Sequence, residues 1–344
     1  MASIKYLSGF MIALGGAWLA DVTHIPIPWL LGPLLATAVF GLNGVPVRAP
    51  AWSTKTGLMV IGLSLGLYFT PQMAAILLTY WPLMIFGMLF SLSLGIFGSL
   101  FMYRRAKVDF ATAWYASAMG GASQMAYMAA EKGADIGKVV SAHSLRVLMI
   151  VTIVPFFYQY MGFHNTDSGN LAYNTSVHWF GLLGLFVCGY ACARLFEWFK
   201  WTNPWTFGPL AAATLLTLCE IHLSAIPSSI SHISQLVIGW SLGNKFVPGF
   251  FRSAPRLLTV VAVNVAVSLL LTALVTYLLA NTVAVSLPTL GLGLAPGGVT
   301  EMTITAKTLR LGVPLVTAFH VSRMVVVIGT ADVLHRFFAR FFVK

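Results

Sequence analysis

The sequence contains few charged residues: Asp, Glu, Lys and Arg together make up 8% of its 344 residues. A typical soluble domain carries about 25% charged residues, because they keep its surface in contact with water. Hydrophobic residues account for 58% of this chain. The composition excludes a protein that is soluble as a single chain. It predicts an all-α polytopic membrane protein.

Cysteine is also scarce, and the three cysteines all lie in apolar stretches, at Cys188, Cys192 and Cys219. They provide neither a disulfide framework nor the ligand spacing of a zinc site. No two of the eight histidines lie at ligand spacing on one helix, which argues against a copper or iron centre. A Walker motif for ATP hydrolysis is missing as well. We therefore expect no cofactor, no metal site and no enzymatic activity.

Long uncharged segments dominate the rest of the chain. Residues 77–101 contain no charge. As a helix they would be long enough to cross about 30 Å of hydrocarbon. Similar segments follow along the chain and predict about ten to twelve membrane segments, with no removable signal peptide expected. The net charge of +11 is better explained by basic cytoplasmic loops than by nucleic-acid binding.

The chain also contains an internal repeat. Residues 120–125 read Gly-Gly-Ala-Ser-Gln-Met, and residues 297–302 read Gly-Gly-Val-Thr-Glu-Met. Each motif is followed by a His-x-x-Arg pair, first His143 with Arg146 and then His320 with Arg323. Residues 28–34 and 204–210, and residues 61–66 and 238–243, match at nearly the same offset. The matches predict an N-terminal membrane repeat over 1–165 and a C-terminal membrane repeat over 166–344.

The basic loops favour an inverted relationship between the two repeats. In the first repeat the basic residues 104–107 follow the segment 77–102. In the second repeat the basic residues Lys245, Arg252 and Arg256 lie at or before the start of the equivalent segment, 256–280. Equivalent helices would then cross the membrane in opposite directions. Six complete spans per repeat would instead give a parallel relationship, so an inverted repeat requires a short segment that is re-entrant or merged with its neighbour.

The duplicated Gly-Gly motifs predict two helix breaks inside the membrane. A break frees backbone N–H and C=O groups, and the helix that resumes presents a positive N-terminal end. Two such ends would suit an anionic solute. The predicted solute-binding residues at the breaks are Gly120, Gly121, Ser123, Gln124, Gly297, Gly298, Thr300 and Glu301. The alternative is that these glycines only allow close packing between helices.

Glu301 is the most specific single candidate, because a carboxylate inside the membrane is costly and usually functional. Its counterpart in the first repeat, Gln124, cannot ionise. We therefore interpret Glu301 as a proton or cation coupling residue. In the alternative reading it lies in a water-filled vestibule or pairs with Lys307.

The two His-x-x-Arg pairs complete the predicted site. His143 and Arg146 are three residues apart, as are His320 and Arg323, so each pair shares one helix face. An arginine can bind a carboxylate through two parallel hydrogen bonds. The same arginines could instead neutralise Glu301 or cap the carbonyls of the broken helices, and both roles are open at this point.

Residues 28–36, Pro-Trp-Leu-Leu-Gly-Pro-Leu-Leu-Ala, together with the two Gly-Gly and two His-x-x-Arg motifs, resemble the bacterial membrane AbrB-duplication family. This family is different from the small DNA-binding regulator of the same name. It is similar in organisation to cation/proton antiporters and bile-acid-type transporters. The resemblance implies inverted repeats with two discontinuous crossing helices at 110–130 and 284–308. Its members are often labelled as ammonia monooxygenases or as regulators.

These observations predict a secondary active transporter in the bacterial inner membrane. Its solute would be a small anion similar to an organic acid, and its coupling ion H⁺ or Na⁺. Membrane lipid is the other expected partner, nucleic acid is not one, and a homodimer is expected only by analogy with similar transporters. The alternative is a membrane-embedded regulator or sensor without transport, and a metal-dependent oxygenase ranks last.

Overall fold

The computed structural model describes residues 2–163 and 176–342, and every regular element among them is a helix. The predicted boundary between the two repeats, at residues 165 and 166, lies outside the described residues. In chain order the helices are α1 (Ala2–Val22), α2 (Pro28–Leu42), α3 (Ala51–Gly66), α4 (Pro71–Thr79), α5 (Trp81–Ala106), α6 (Phe110–Ser117), α7 (Ala122–Glu131), α8 (Ile136–Tyr160), α9 (Trp179–Trp198), α10 (Pro204–Leu218), α11 (Ser228–Gly243), α12 (Phe250–Ser253), α13 (Pro255–Leu279), α14 (Leu287–Leu294), α15 (Val299–Thr308) and α16 (Val313–Phe342).

Five of the described helices are long and apolar enough to cross a membrane: α5, α8, α9, α13 and α16. The pair α3 and α4 also passes this test if it counts as one span, although the two helices are bent by 82° at Leu67–Thr70. The structure therefore confirms the predicted all-α polytopic membrane protein. Fewer helices reach full spanning length than the sequence predicted, because several apolar segments form helices of only 8 to 16 residues.

The chain forms two compact units. Unit 1 comprises Met1–Thr79, Gln159–Pro248 and Thr303–Pro314, and unit 2 comprises Tyr80–Tyr158, Gly249–Met302 and Leu315–Lys344. Each unit thus takes helices from both predicted sequence repeats, and the division passes through α15 after Met302. This spatial division is a different property from the sequence duplication, so the predicted repeat boundary near residue 165 stays a prediction.

Unit 1 is built on close helix contacts at glycines. A Cβ atom on Gly62 of α3 would collide with the backbone carbonyl of Thr206 on α10. A Cβ atom on Gly239 of α11 would collide in the same way with the carbonyl of Leu30 on α2. Gly62 and Gly239 are equivalent positions of the repeat, as are Leu30 and Thr206. Equivalent residues therefore make equivalent contacts. Because glycine lacks a side chain, the helix backbones can approach closely at these positions.

Unit 2 contains both predicted helix breaks and the long helices around them. Helix α6 packs against α5, and α14 packs against α13 and α5. The indole of Trp114 on α6 donates a hydrogen bond to the carbonyl of Ala331 on α16, at 3.0 Å. The basic and aromatic residues 335–342 continue α16 as a helix, and Phe342 stacks on Phe110 at 5.6 Å between ring centroids. These contacts fix α6, and hence the first break, against the end of α16.

Candidate functional site

Both Gly-Gly motifs interrupt their helices at equivalent places. Helix α6 ends at Ser117 and α7 begins at Ala122, while α14 ends at Leu294 and α15 begins at Val299. The backbone leaves the helical region at equivalent residues, with ψ of 135° at Ala118 and 142° at Ala295. Both breaks lie in unit 2. The sequence thus correctly predicted two interrupted helices.

The first His-x-x-Arg pair holds the end of α6. The Nε2 atom of His143 lies 2.8 Å from the carbonyl oxygen of Tyr115, so the ring donates through Nε2 and accepts through Nδ1. Arg146 donates through Nη1 to the carbonyls of Ala118, at 2.9 Å, and Ser117, at 3.2 Å. Its Nη2 lies 2.8 Å from Nδ1 of His143. The pair therefore acts as a clamp on the last carbonyls of the half-helix.

The second pair repeats this clamp on α14. The Nε2 atom of His320 lies 2.9 Å from the carbonyl oxygen of Leu292, and Arg323 donates through Nη1 to the carbonyl of Ala295 at 2.6 Å. Its Nη2 donates to the carbonyl of Gly297. In both repeats the carbonyl held by the His, and one carbonyl held by the Arg, lie 28 residues before the side chain that holds them.

The clamps satisfy the carbonyls that a helix leaves without partners at its C-terminal end. A guanidinium group at that place also compensates the negative end of the helix dipole. Of the two roles that the sequence left open for Arg146 and Arg323, the geometry shows carbonyl capping. If these residues also contact a solute, they must do so through polar atoms that take no part in the carbonyl capping.

The second clamp leaves two such atoms. Nε of Arg323 and Nδ1 of His320 are buried and have no hydrogen-bond partner among the described residues. Nε of an arginine is a donor, and Nδ1 of His320 is an acceptor because Nε2 faces the carbonyl of Leu292. The first clamp differs here, since Nδ1 of His143 already faces Arg146. The two breaks therefore share a framework but offer different polar atoms.

The resuming helices begin with equivalent residues at their N-termini. Gly121 and Gly298 precede the first helical residue of α7 and α15, and Gln124 and Glu301 occupy the third helical position. A Glu or Gln at this position can reach back to the start of its own helix. The carboxylate of Glu301 reaches back in this way: it lies so close to Gly298 that a Cβ atom on this glycine would collide with it. Glu301 is buried and also interacts electrostatically with Arg146.

The other predicted residues lie around these starts with different exposure. Ser123 is exposed, whereas Gln124 and Thr300 are partly buried. Gly120 and Gly121 are partly buried, while Gly297 is buried. The first break is therefore more open than the second. A small cavity of about 20 Å³, the space of one water molecule, borders the first break at Ala118 and Met119.

The sequence analysis missed the methionines that close the two motifs. The side chain of Met125 lies over Gly120, and that of Met302 lies over Gly297, so close that a Cβ atom on either glycine would approach the methionine within 2.7 Å. Both methionines are fully buried. Their position five residues after the first glycine in both repeats was the available signal. They give Gly120 and Gly297 a packing role, and the binding role of these glycines stays a prediction.

The hydrogen bonds of Lys307 are made with other residues than Glu301, which the alternative reading of the sequence gave as its partner. Lys307 donates to the hydroxyl oxygens of Ser64, at 2.5 Å, and Ser231, at 3.3 Å, within unit 1. The sequence analysis did not single out these two serines. The signal was a lone lysine in an apolar segment, which is a functional candidate by default.

Comparisons with known proteins agree with the motifs. The profile of a family described as "Transition state regulatory protein AbrB" matches residues 29–339. A Bacillus subtilis (strain 168) protein designated "Uncharacterized protein YhjN" is 24% identical, covering 97% of this chain and 93% of its own length. An Escherichia coli (strain K12) protein designated "Putative regulator AbrB" is 22% identical, with 92% of each chain covered. Since the profile covers almost the whole chain, this protein belongs to the AbrB family.

Proposed function

We propose that this protein is a secondary active transporter of a small anion, located in the bacterial inner membrane and coupled to H⁺ or Na⁺. The observation that carries the proposal is the pair of clamps. Arg146 and Arg323 cap the carbonyl ends of α6 and α14, so the negative helix ends are compensated. The positive N-terminal ends of α7 and α15 are then the polar groups best suited to an anionic solute.

The difference between the two breaks assigns them different roles in this proposal. At α15 the carboxylate of Glu301 offsets the positive helix end, which weakens the attraction for an anion. At α7 the neutral Gln124 leaves the positive end uncompensated. Protonation of Glu301 would remove the competing negative charge. Anion binding and proton uptake would therefore favour each other, as symport requires.

The two polar atoms of the second clamp that have no hydrogen-bond partner among the described residues support the same proposal. The free N–H at Nε of Arg323 is a donor for an anionic oxygen, and Nδ1 of His320 is an acceptor for a hydroxyl or protonated carboxyl group. A hydroxy acid or a monocarboxylate combines these groups. By the family resemblance, the interrupted helices α6–α7 and α14–α15 would cross at the solute site and belong to inverted repeats.

The experiment measures uptake of labelled solute and the change of internal pH in proteoliposomes, with a solid-supported-membrane current recorded in parallel, because symport of a monocarboxylate with one proton moves no net charge. A panel of small carboxylates and inorganic anions is applied at two pH values, with and without Na⁺. We expect an uptake specific for one solute class that grows as the pH falls and is lost in Glu301→Gln. Glu131→Gln is the matched control, because Glu131 is an exposed carboxylate at the end of α7. It should keep the pH-dependent uptake.

Two outcomes would contradict the proposal. If folded protein gave neither uptake nor current with any member of the panel, the anion transporter would be wrong. If the uptake persisted in Glu301→Gln with the same pH dependence, Glu301 would not be the coupling residue. A Na⁺ requirement without any pH dependence would assign the coupling to Na⁺ instead.

A second candidate is a membrane-embedded regulator that does not transport a solute. The designation of the E. coli relative as a putative regulator favours it. It predicts binding of a solute without current. An oxygenase has less support, since no three His, Cys, Asp or Glu side chains of the described residues are grouped to hold a metal ion.

A further inference from the structure

A second polar cluster lies in unit 1. Lys307 of α15 contacts Ser64 on α3 and Ser231 on α11, with its Nζ atom 2.5 Å and 3.3 Å from the two hydroxyl oxygens. Ser64 is 1% exposed and Ser231 is 4% exposed. All three residues belong to unit 1, whereas both Gly-Gly breaks belong to unit 2. The mechanism proposed above does not use this cluster.

The charge of Lys307 has no acidic partner among the described residues. None of the five ion pairs of the described residues includes Lys307. Lys307 interacts electrostatically with His232 of α11, which stacks on Trp29 of α2 and itself interacts with Asp21 of α1. Lys307 is partly buried, and an ammonium group removed from water is costly unless a negative charge lies near it. The cluster therefore lacks the negative charge that would balance it.

The hydrogen-bond donors of the cluster also exceed its acceptors. An ammonium group has three donors, and Lys307 uses two of them on the serine oxygens. Since each serine oxygen accepts from the lysine, its own O–H group is available to donate to another atom. Within the described residues neither hydroxyl donates a hydrogen bond to a protein group. One N–H and two O–H donors of the cluster thus remain available, next to a single positive charge.

From this arrangement we infer that Lys307, Ser64 and Ser231 form a binding site for a small monovalent anion, such as chloride or formate. One negative charge balances one ammonium group, and a compact anion accepts the three remaining donors. The short serine side chains and their burial favour a small ion over sulfate or a dicarboxylate. The inference does not depend on transport, because binding is an equilibrium property of the folded protein.

The sequence repeat supplies a matched control for this site. The position equivalent to Lys307 is Ala130, and the position equivalent to Ser64 is Ser241. Ser241 and Ser64 both lie in a Gly-x-Ser-Leu-Gly sequence. The first repeat, however, has an alanine at the position that corresponds to Lys307. Ser241→Ala therefore tests whether loss of another, partly buried helix hydroxyl has the effect, and Lys138→Gln tests loss of an exposed lysine.

The experiment measures binding of sodium chloride and of sodium formate to the purified full chain in detergent. Thermal unfolding is recorded as the anion replaces gluconate at constant ionic strength, and isothermal titration calorimetry gives the affinity. We expect a saturable rise in unfolding temperature for the wild-type protein. Lys307→Gln and the double variant Ser64→Ala/Ser231→Ala should each weaken binding at least tenfold. Ser241→Ala and Lys138→Gln should bind as the wild type does.

The double serine variant keeps the test decisive if Lys307→Gln fails to fold. No saturable effect of either anion on the wild-type protein would overturn the inference. Unchanged affinity in the double serine variant would also overturn it. Since the loss of binding in Lys307→Gln is measured without any transport assay, failure of the transporter proposal and failure of this site can be told apart.

Discussion

Arg323 donates a hydrogen bond to the backbone carbonyl of Ala295, and these residues lie 28 positions apart in the sequence. Arg146 makes the equivalent contact with Ala118 in the first repeat. The two contacts bind the end of one half-helix to the long helix that follows the break. The duplicated motif is therefore first a structural device that stabilises an interrupted helix inside the membrane, and the proposed solute site depends on it.

The first prediction concerns the loss of this clamp. Arg323→Ala leaves the buried carbonyls of Ala295 and Gly297 without their donor, which should cost about 2–5 kcal/mol of stability. Thermal unfolding in detergent should show a clear fall in melting temperature, and transport should be lost. Arg340→Ala is the control, because this arginine is exposed near the end of α16. Normal stability and transport in Arg323→Ala would show that the clamp is unimportant.

The second prediction separates the position of Glu301 from its charge. In Gly298→Ala the new Cβ atom meets the flexible carboxylate end of Glu301, so the protein should fold with a stability change below about 1 kcal/mol. The carboxylate, however, must move away from the start of α15. We expect the pH dependence of transport to change as in Glu301→Gln. Gly329→Ala, where a Cβ atom meets no neighbour within 4 Å, should leave it unaltered.

The third prediction tests the glycine contacts of unit 1. Gly239→Ala places a Cβ atom against the backbone carbonyl of Leu30, which cannot rotate away as a side chain can. The overpacking should cost about 1–3 kcal/mol. Chemical or thermal unfolding measures it, with Gly15→Ala as the control because a Cβ atom there has open space around it. Equal stability of the two variants would show that α2 and α11 separate without cost.

The sequence predicted the features that depend on local composition and on repetition. Apolar length identified the long spans such as α5 and α13, and the Gly-Gly motifs identified both interruptions. The same signals did not reveal which carbonyls Arg146 and Arg323 hold, because those contacts join residues 28 positions apart. They also did not bring Ser64, Ser231 and Lys307 together, since three separate helices carry them. A single sequence records spacing along the chain but not which helices become neighbours.

The fourth prediction uses the difference between the two breaks. Gln124→Glu introduces at α7 the carboxylate that α15 already has, so both positive helix ends would be offset by a negative charge. A charge at the start of a helix contributes about 0.3–2 kcal/mol. The KM of the transported anion should therefore rise from about twofold to more than tenfold at neutral pH, measured by proteoliposome flux. Gln124→Ala is the control, since it removes the amide without adding a charge and should change KM less. If Gln124→Glu instead bound the anion more tightly, the end of α7 would not be the group that attracts the anion.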